Sequence, residues 1–378
     1  MSLLDVCRSL LLGCALLSTT LVSAAQARHD HFLHSFHGSD GSFPNGNLLF
    51  DGAGNLYGTT PDGGSFGRGT IFKLSPTGDF ALLYSFTGGS DGGAPDTGLA
   101  IDPTTGDLYG TTTEYGTFFA GCAFKLTAAG QLVVLHEFNS DTDGSAASAT
   151  LTRDGQGNFY GTTYQGGSHD SGTIFELAAN GGFQVRYTFT GVDGAESFGH
   201  LALHGTDLYG VATLDGSGGG GTIFDFNVNG TFTVLDALTT PEGLDGGVAR
   251  DGKGNLYGAS LTGGNGYVYK LSPEGAISPF YTFTGGADGR FPGGDMLLSR
   301  RKHELYGATG RGGARGDNGT IFKLDLKGNF TLLHGFAGAP HDGAEPQGGL
   351  VERNGKLYGT TFRGGSNDMG TIFAVSTK

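Results

Sequence analysis

The stretch Leu56-Tyr57-Gly58-Thr59-Thr60, followed after a short loop by Gly69-Thr70-Ile71-Phe72, sets the organisation of the chain. The pair recurs seven times at intervals of about fifty residues, and self-similarity at such a period is the signature of a repeat architecture. The central tyrosines are Tyr57, Tyr109, Tyr160, Tyr209, Tyr257, Tyr306 and Tyr358. Their aromatic partners are Phe72, Phe124, Phe175, Phe224, Tyr269, Phe322 and Phe373.

Each repeat divides into four short strands, here called A to D. In the first repeat we predict them at 48–50, 56–60, 70–74 and 80–86, from β-branched and aromatic alternation bounded by glycine and asparagine. Glycine supplies 74 of 378 residues without a three-residue period, which excludes collagen and suits many tight turns.

The two ends of the chain predict how the repeats are arranged. The seventh repeat has strands A to C at 349–351, 357–361 and 371–375 but no D strand, while segment 32–36 matches the D strand at 82–86. If 32–36 completes the last blade, a ring closes and leaves no exposed sheet edge. The sequence therefore predicts an all-β, seven-bladed β-propeller with four-stranded blades. A parallel β-helix, the competing architecture, has shorter coils and no tight hairpins.

Residues 1–27 read as a secretory signal peptide, with an apolar run from Leu10 to Val22 before Ala25-Gln26-Ala27. Residues 28–378 would then form a single exported domain, secreted or periplasmic. The alternative is a lipoprotein box ending at Cys14. No later stretch is long and apolar enough to insert into a membrane, and Cys122, the remaining cysteine, allows no internal disulfide.

The formal net charge of −14 disfavours nucleic acid and anionic membranes as partners. We expect a monomer without a cofactor or a metal.

Several short motifs are better explained by turns than by chemistry. The string 51–55, Asp-Gly-Ala-Gly-Asn, lacks the further carboxylates of a calcium loop. Gly-x-Ser-x-Gly occurs at 63–67 and 88–92 without the strand and helix of a nucleophile elbow. Segment 247–253 resembles a phosphate loop, but a glycine stands where serine or threonine is needed. Cys122 occupies the position of Thr70, where a small buried residue is expected.

Histidines and loop aspartates also recur with the repeat. The D-strand position of Tyr84, Tyr187 and Tyr281 is filled elsewhere by His34, His136 and His334. We therefore interpret these histidines as strand residues, and His29, His31 and His37 as adventitious chelators at most. An Asp-Gly pair follows most D strands, and we interpret the carboxylates as turn caps. They are Asp40, Asp91, Asp143, Asp193, Asp288 and Asp342. No catalytic residue is predicted.

With Leu-Tyr-Gly-Thr-Thr, Gly-Gly-Ser at 63–65 and Gly-Thr-Ile-Phe at this spacing, residues 31–376 resemble the GloVer tandem-repeat family of bacterial exported proteins. The resemblance implies repeated β-blades without an established enzymatic activity. Members often carry a C-terminal surface anchor, and no sorting motif or apolar tail follows Val375 in this sequence.

In a propeller, the D–A and B–C links share one face, and the repeats differ most in these links. Blades 6, 7, 1 and 2 are neighbours in the ring, so their distinctive side chains should form one basic and aromatic arc. The predicted ligand-binding residues are Arg68, Tyr115, Phe118, Phe119, Arg290, Arg311, Arg315 and Arg363. Such an arc suits an acidic polysaccharide. The alternative is a set of unrelated exposed loop residues.

These observations favour an exported binding or scaffold module, with a carbohydrate or a cell-surface protein as ligand. The alternative function is a glycan-cleaving hydrolase or lyase working in the central cavity. That alternative requires a pair of carboxylates, or a carboxylate with histidine or tyrosine, at the mouth of the cavity.

Overall fold

A computed structural model describes residues 32–238, 243–299 and 301–378. The predicted signal peptide, its cleavage site, Cys14, His29 and His31 lie outside the described residues. Within those ranges, the strands form seven four-stranded antiparallel sheets and one two-stranded pair. The sheets are the blades of a seven-bladed β-propeller, as predicted.

The strands of each blade run A, B, C, D from the channel outwards. The A strands are Leu49–Phe50, Ala100–Ile101, Thr152–Arg153, Ala202–His204, Leu244–Arg250, Arg290–Ser299 and Val351–Arg353. The B strands are Leu56–Thr60, Leu108–Thr111, Phe159–Thr163, Asp207–Ala212, Leu256–Ser260, Glu304–Arg311 and Lys356–Thr361. The C strands are Thr70–Leu74, Cys122–Leu126, Thr173–Leu177, Thr222–Asn227, Tyr267–Leu271, Thr320–Asp325 and Thr371–Ser376. The D strands are Phe80–Ser85, Leu132–Glu137, Phe183–Thr188, Thr231–Ala237, Ile277–Thr282, Phe330–Gly335 and Phe32–Ser35.

The ring closes through the first described strand. Phe32–Ser35 pairs antiparallel with Thr371–Ser376, so that Ser35 lies opposite Thr371. The strand thus completes blade 7, as the sequence predicts. The A strand of that blade lies at Val351–Arg353 rather than at 349–351. Gly348 and Gly349 instead pack against the residues that precede the A strand of blade 1.

Close packing explains the glycine of the repeated motif. A Cβ atom on Gly58 would lie 2.5 Å from the Phe72 ring and 2.7 Å from Leu48. The C-strand ring can therefore cover the B strand only where that strand has no side chain. The threonines of the motif have a second role, because the buried hydroxyls of Thr60 and Thr70 lie 2.7 Å apart and join strands B and C.

Neighbouring blades are joined by edge-to-face phenylalanine pairs. Phe36, which follows the D strand of blade 7, lies 5.3 Å from the Phe72 ring of blade 1. The equivalent pairs are Phe86–Phe124, Phe138–Phe175, Phe189–Phe224, Phe283–Phe322 and Phe336–Phe373. Because both partners are almost fully buried, each pair contributes apolar burial together with a favourable ring geometry.

The loop aspartates cap their turns and bind the aromatic residue of the D strand. The Tyr84 hydroxyl donates to Asp91 at 3.0 Å, and His34 Nε2 lies 2.8 Å from the Asp40 carboxylate. We call this pairing the clasp. His136 and His334 form the same clasp with Asp143 and Asp342. The interpretation of these residues as strand histidines and turn caps is thereby confirmed.

The other turn predictions also agree with the structure. Asp51 accepts the backbone N–H of Asn55 at 2.8 Å and its side-chain amide at 2.6 Å, as a hairpin turn requires.

Cys122 is fully buried, and burial raises the pKa of its thiol to about 12, so it is not a thiolate nucleophile near neutral pH.

Candidate functional site

The D–A and B–C links lie on one face of the ring. Short backbone bridges join the two links in most blades: Ser42–Asp62, Gly93–Glu114, Ser145–Gln165, Ala195–Leu214 and Ala344–Arg363. The prediction that these links share a face is correct. We call it the upper face.

Among the described residues, the D–A links contain several residues with a left-handed backbone. Six of these residues are not glycine, and their φ angles lie between 50° and 58°: Phe43, Ala94, Ala146, Glu196, Phe291 and Glu345. Their backbone groups hold neighbouring blades together, as where the N–H of Phe43 donates to Met369 at 2.8 Å. A left-handed non-glycine residue costs about 1–3 kcal/mol and is typical of functional sites. The hydrogen bonds of these residues hold each of these links against the preceding blade.

A cavity of about 460 Å³ opens from the upper face into the central channel. Its walls come largely from residues that precede the A strand or, in blades 5 and 6, belong to it, at equivalent positions of the seven repeats. The position three residues before the conserved aliphatic residue holds Asn45, Asp96, Ser148, Phe198, Asp245, Gly293 and Gln347. The position one residue before it holds Asn47, Gly98, Thr150, His200, Gly247, Asp295 and Gly349. Unlike the scaffold positions, these two positions vary from blade to blade.

Asp295 forms the floor of this cavity. Its carboxylate accepts hydrogen bonds from the Asn47 side chain and from the backbone N–H groups of His200 and Gly247. The Asn47 side chain in turn accepts the backbone N–H of Gly349 at 2.6 Å. The hydrogen bonds around Asp295 therefore connect blades 1, 4, 5, 6 and 7.

Two further carboxyl groups, those of Asp96 and Asp245, line the walls of the cavity. Burial raises the pKa of Asp96 to about 6; the Asn45 amide partly offsets this rise, and the charges of Asp62 and Glu114 add to it. Burial also raises the pKa of Asp245 to about 6. The backbone N–H groups of Gly246 and Gly294 lower that pKa, and the charge of Asp295 raises it. Both groups therefore change charge near neutral pH.

At the mouth of the cavity, Glu345 lies between two arginines. Its Oε1 atom is 3.0 Å from Arg311 and 3.9 Å from Arg363. The Phe291 ring lines the same edge, and Arg290 lies over it at 5.3 Å. The mouth combines a paired acid and base with an apolar surface.

The predicted arginines lie on the upper face, and four of the five have partners. Arg68 donates to Tyr115 and lies 4.4 Å from the centre of its ring. Arg290 binds Asp317 through two hydrogen bonds, and Arg363 also contacts Asp368 at 3.2 Å. Among the described residues, the Arg315 guanidinium has no acidic partner within ion-pair distance. Arg311 is the predicted residue that reaches the cavity lining.

The predicted aromatic residues form an outer edge on blade 2. Phe118 is 53% exposed and Phe119 is 81% exposed, while Tyr115 is covered by Arg68. These rings lie outside the lining of the channel cavity. The structure therefore separates the predicted arc from the channel pocket, with Arg311 and Arg363 at their junction.

Other hollows lie on the lower face, among the A–B and C–D hairpins. One of about 460 Å³ is lined by Phe50, Tyr57 and Leu108, which belong to the repeated framework. The channel pocket is the better candidate site, because its lining varies in chemistry among the blades, whereas the lining of the lower hollow belongs to the repeated framework.

Across residues 32–238, 243–299 and 301–378, no group of three or more His, Cys, Asp or Glu side chains is arranged to hold a metal ion. In the part of the chain that the structure describes, we find no helix with the length and apolar character needed to cross a membrane.

The sequence analysis did not identify Asn45, Asp96, Asp245 or Asp295 as site residues. A signal for them was present. Alignment of the seven repeats on the aliphatic residue of each A segment shows two positions that vary in chemistry beside an invariant framework. Their convergence on the channel depends on the ring geometry, which strand periodicity does not give.

The sequence of the chain matches the profile of a known protein family. The profile of the Gloeobacter/Verrucomicrobia repeat matches residues 19–224 and 199–378. The comparison with curated proteins gives no match.

Solved structures share the fold at low sequence identity. A protein from Lactobacillus plantarum is 16% identical, with a TM-score of 0.54 over 77% of this chain and 84% of that one. A candidate 6-phosphogluconolactonase from Bacteroides uniformis is 15% identical, with a TM-score of 0.52 over 79% and 84%. Puromycin hydrolase is 14% identical, with a TM-score of 0.54 over 85% of this chain and 50% of that one. Such similarity supports the propeller fold alone.

Proposed function

The chain belongs to the Gloeobacter/Verrucomicrobia repeat family, and from this premise we propose that it is an exported binding module that holds a carbohydrate in its channel pocket. The observation that carries the proposal is the contrast between framework and lining. Packing fixes the repeated glycine, threonine and phenylalanine positions, whereas the two lining positions of each repeat carry amide, hydroxyl, imidazole, carboxyl or aromatic side chains, or glycine, in different blades.

The chemistry of the pocket suits a ligand rich in hydroxyl groups. Asn45, Gln347 and Thr150 supply neutral donors and acceptors, and Asp96 and Asp245 supply strong acceptors. Phe198 and Phe291 offer ring surfaces against which the C–H faces of a sugar can pack. A volume of about 460 Å³ lies within the range of small-molecule sites.

Binding can be tested by calorimetry with a panel of monosaccharides and disaccharides. We expect the variant Asn45→Trp, which has a large ring in the pocket, not to bind the sugar that the parent binds most tightly. Phe119→Ala, on the outer edge of blade 2, should leave that binding unchanged. Equal melting temperatures would show that both variants fold. Retained binding by Asn45→Trp would contradict the channel as the site.

A second candidate function is supported by the carboxyl groups of the pocket. A glycan-cleaving enzyme requires a pair of carboxylates, or a carboxylate with histidine or tyrosine, at the cavity. Asp245 and Asp295 both line it, and the charge of Asp295 raises the pKa of Asp245. A carboxyl with a pKa of about 6 suits general acid catalysis near neutral pH. Reducing-end release from glycans by the parent, lost in Asp245→Asn, would favour this hydrolase. No release by the parent from the sugar that it binds would favour the binding module.

The outer arc remains a separate binding proposal. An acidic polysaccharide would have to compete with Glu345, Asp317 and Asp368 for three of the arginines. A cell-surface protein, the other ligand class predicted from the sequence, would instead use the exposed rings of Phe118 and Phe119.

A further inference from the structure

We propose that the ring opens most readily at the junction between blades 4 and 5, and that loss of protons from two carboxyl groups in this junction promotes the opening. Such a seam belongs to the scaffold and does not depend on what the channel pocket binds. At this junction the chain departs from two contacts that hold the other blades together.

The edge-to-face phenylalanine pair is the first contact that this junction lacks. At the other six junctions, the residue after the D strand is a phenylalanine that packs on a phenylalanine of the next blade, as Phe36 packs on Phe72. In blade 4 that residue is Leu238, and the facing residue of blade 5 is Tyr269. Both are buried, but leucine has no ring, so the junction keeps apolar burial without the ring geometry.

The clasp is the second missing contact. Asp236 occupies the D-strand position at which the other six blades have the tyrosine or histidine of the clasp. Its Oδ2 atom is shielded from solvent and has no hydrogen-bond partner. The clasp ring can also stack on the next blade, as His34 stacks on Phe80 at 3.8 Å, whereas Ile277 takes the place of Phe80 in blade 5. Blade 4 therefore has a buried carboxyl group in place of a bonded ring.

A second carboxyl group in the same junction also has an unpaired oxygen. Asp225 lies opposite Tyr209, whose ring belongs to the apolar cluster between blades 4 and 5. The Oδ1 atom of Asp225 is shielded from solvent and has no hydrogen-bond partner. In blade 3 the equivalent residue, Glu176, is paired with Arg186 at 2.6 Å. Because buried polar atoms are normally satisfied, two unpaired carboxyl oxygens at one junction mark it as the weakest.

The protonation of these two groups should depend on pH near neutrality. Burial raises the pKa of Asp225 to about 6; the charge of Asp207 adds to this rise, and the charge of Arg250 in blade 5 lowers the pKa. Burial also raises the pKa of Asp236, and the Ala237 N–H lowers it. Arg250 lies over the Tyr209 ring at 5.3 Å, and the other ionisable side chains of the cluster are Tyr267 and Tyr269.

The direction of the pH effect follows from the raised pKa values. A carboxyl group that is protonated more easily in the closed junction than in the open one stabilises the closed form at low pH. This stabilisation is complete below about pH 4 and is lost as the pH rises through about 6. The junction should therefore be firm at acidic pH and loosen above neutrality.

Native-state hydrogen exchange measured by mass spectrometry locates the opening. Protection factors, corrected for the intrinsic pH dependence of exchange, are compared at pH 5 and pH 7 for the D strands of blades 1 to 6. We expect Thr231–Ala237 of blade 4 to be the least protected of these strands at pH 7. Between the two pH values its protection should fall about tenfold relative to that of Phe183–Thr188 in blade 3.

Neutral variants test the two carboxyl groups. Asp225→Asn with Asp236→Asn should raise the protection of Thr231–Ala237 at pH 7 and remove its pH dependence relative to blade 3. The control, Asp79→Asn with Asp141→Asn, removes two exposed charges from other blades and should keep the pH dependence of the parent. Melting temperatures show whether the variants fold, and the two single variants replace the double variant if it does not.

Three results would overturn the proposal in different parts. A D strand of blade 1, 2, 3, 5 or 6 that is less protected than Thr231–Ala237 would show that the ring opens elsewhere. Relative protection in the parent that is equal at pH 5 and pH 7 would exclude a role for protons. A pH dependence that survives in the double variant would show that Asp225 and Asp236 are not the groups that titrate.

Discussion

Asn47 in blade 1 donates its side-chain amide to Asp295 in blade 6, which lies 248 residues away in sequence and beyond the intervening blade 7. The contact joins the beginning and the end of the repeat array at the floor of the channel. The ring is also closed at its outer side, where the strand Phe32–Ser35 completes blade 7.

Replacing Asn47 should destabilise the ring. Asn47→Ala removes the donor to Asp295 and the acceptor for the Gly349 N–H, so we expect a loss of about 1–3 kcal/mol in the free energy of unfolding. Asn45→Ala is the matched control, because Asn45 makes one long hydrogen bond to Asp96 and should cost less. Urea denaturation measures both. An equal cost for the two variants would contradict the structural role of the floor.

Closure of the ring can be tested within a single segment. Phe36 is fully buried against Phe72, whereas Leu33, in the D strand that precedes it, is 40% exposed. We expect Phe36→Ala to lower the free energy of unfolding by about 3–5 kcal/mol and Leu33→Ala to have a much smaller effect. Deletion of residues 28–37 should cost at least as much as Phe36→Ala. An unchanged melting temperature after that deletion would contradict closure by this strand.

The clasp of the closing strand should contribute stability that depends on pH. Burial favours the neutral form of Asp40, but the His34 hydrogen bond, the His37 N–H and the imidazole charges hold the pKa of Asp40 below its ordinary value. The contribution is therefore present above about pH 4 and is lost as the pH falls through the lowered pKa.

Asp40→Asn should accordingly be less stable than the parent at pH 6, with a difference that shrinks below about pH 4. His34→Tyr installs the clasp that Tyr84 and Asp91 form in blade 1 and should keep the stability at pH 6. Thermal denaturation between pH 3 and pH 7 measures these differences. A constant difference between the parent and Asp40→Asn would show that the carboxylate charge is not involved.

Processing of the N-terminus tests the predicted export route. The apolar run and Ala25-Gln26-Ala27 predict a mature chain that begins at Arg28 or within one or two residues of it. Mass spectrometry of the exported protein measures this directly. An acylated N-terminal Cys14 would support the lipoprotein alternative instead.

The basic and aromatic arc of the upper face should bind acidic glycans weakly, and this binding should weaken as the salt concentration rises. We expect the variant with Arg311, Arg315 and Arg363 changed to alanine to bind them less tightly than the parent at low salt, with a smaller difference at physiological salt. The matched control changes Lys253, Lys327 and Lys356, exposed hairpin residues of the lower face, and has the same net charge. Equal binding by the two triple variants would show that the arc is not a specific site.

The sequence predicted the framework well because the framework repeats. Blade number, strand positions in blade 1 and the equivalence of His34 with Tyr84 all follow from comparing one repeat with the next. The structure adds the physical reason: the same glycine, threonine and phenylalanine contacts recur in successive blades.

The channel pocket was harder to predict, since its residues have no common pattern. Asp96, Asp245 and Asp295 lie in irregular segments at or before the A strands, where alternation does not show which side chain faces inwards. For the arc, the sequence predicted which residues lie on the face but not which residues pair with them. The sequence placed Arg290 and Arg311 on the correct face, but it did not show that Asp317 and Glu345 lie within reach of their guanidinium groups.

The left-handed residues at the channel entrance have a consequence for how such proteins diversify. Their backbone N–H groups bind the preceding blade, as Phe43 binds Met369, so this contact between blades does not depend on the side chain at the left-handed position. Phenylalanine, alanine and glutamate already occupy equivalent places. Side chains at these places can therefore change one blade at a time and alter the surface of the entrance while the backbone contacts between blades remain.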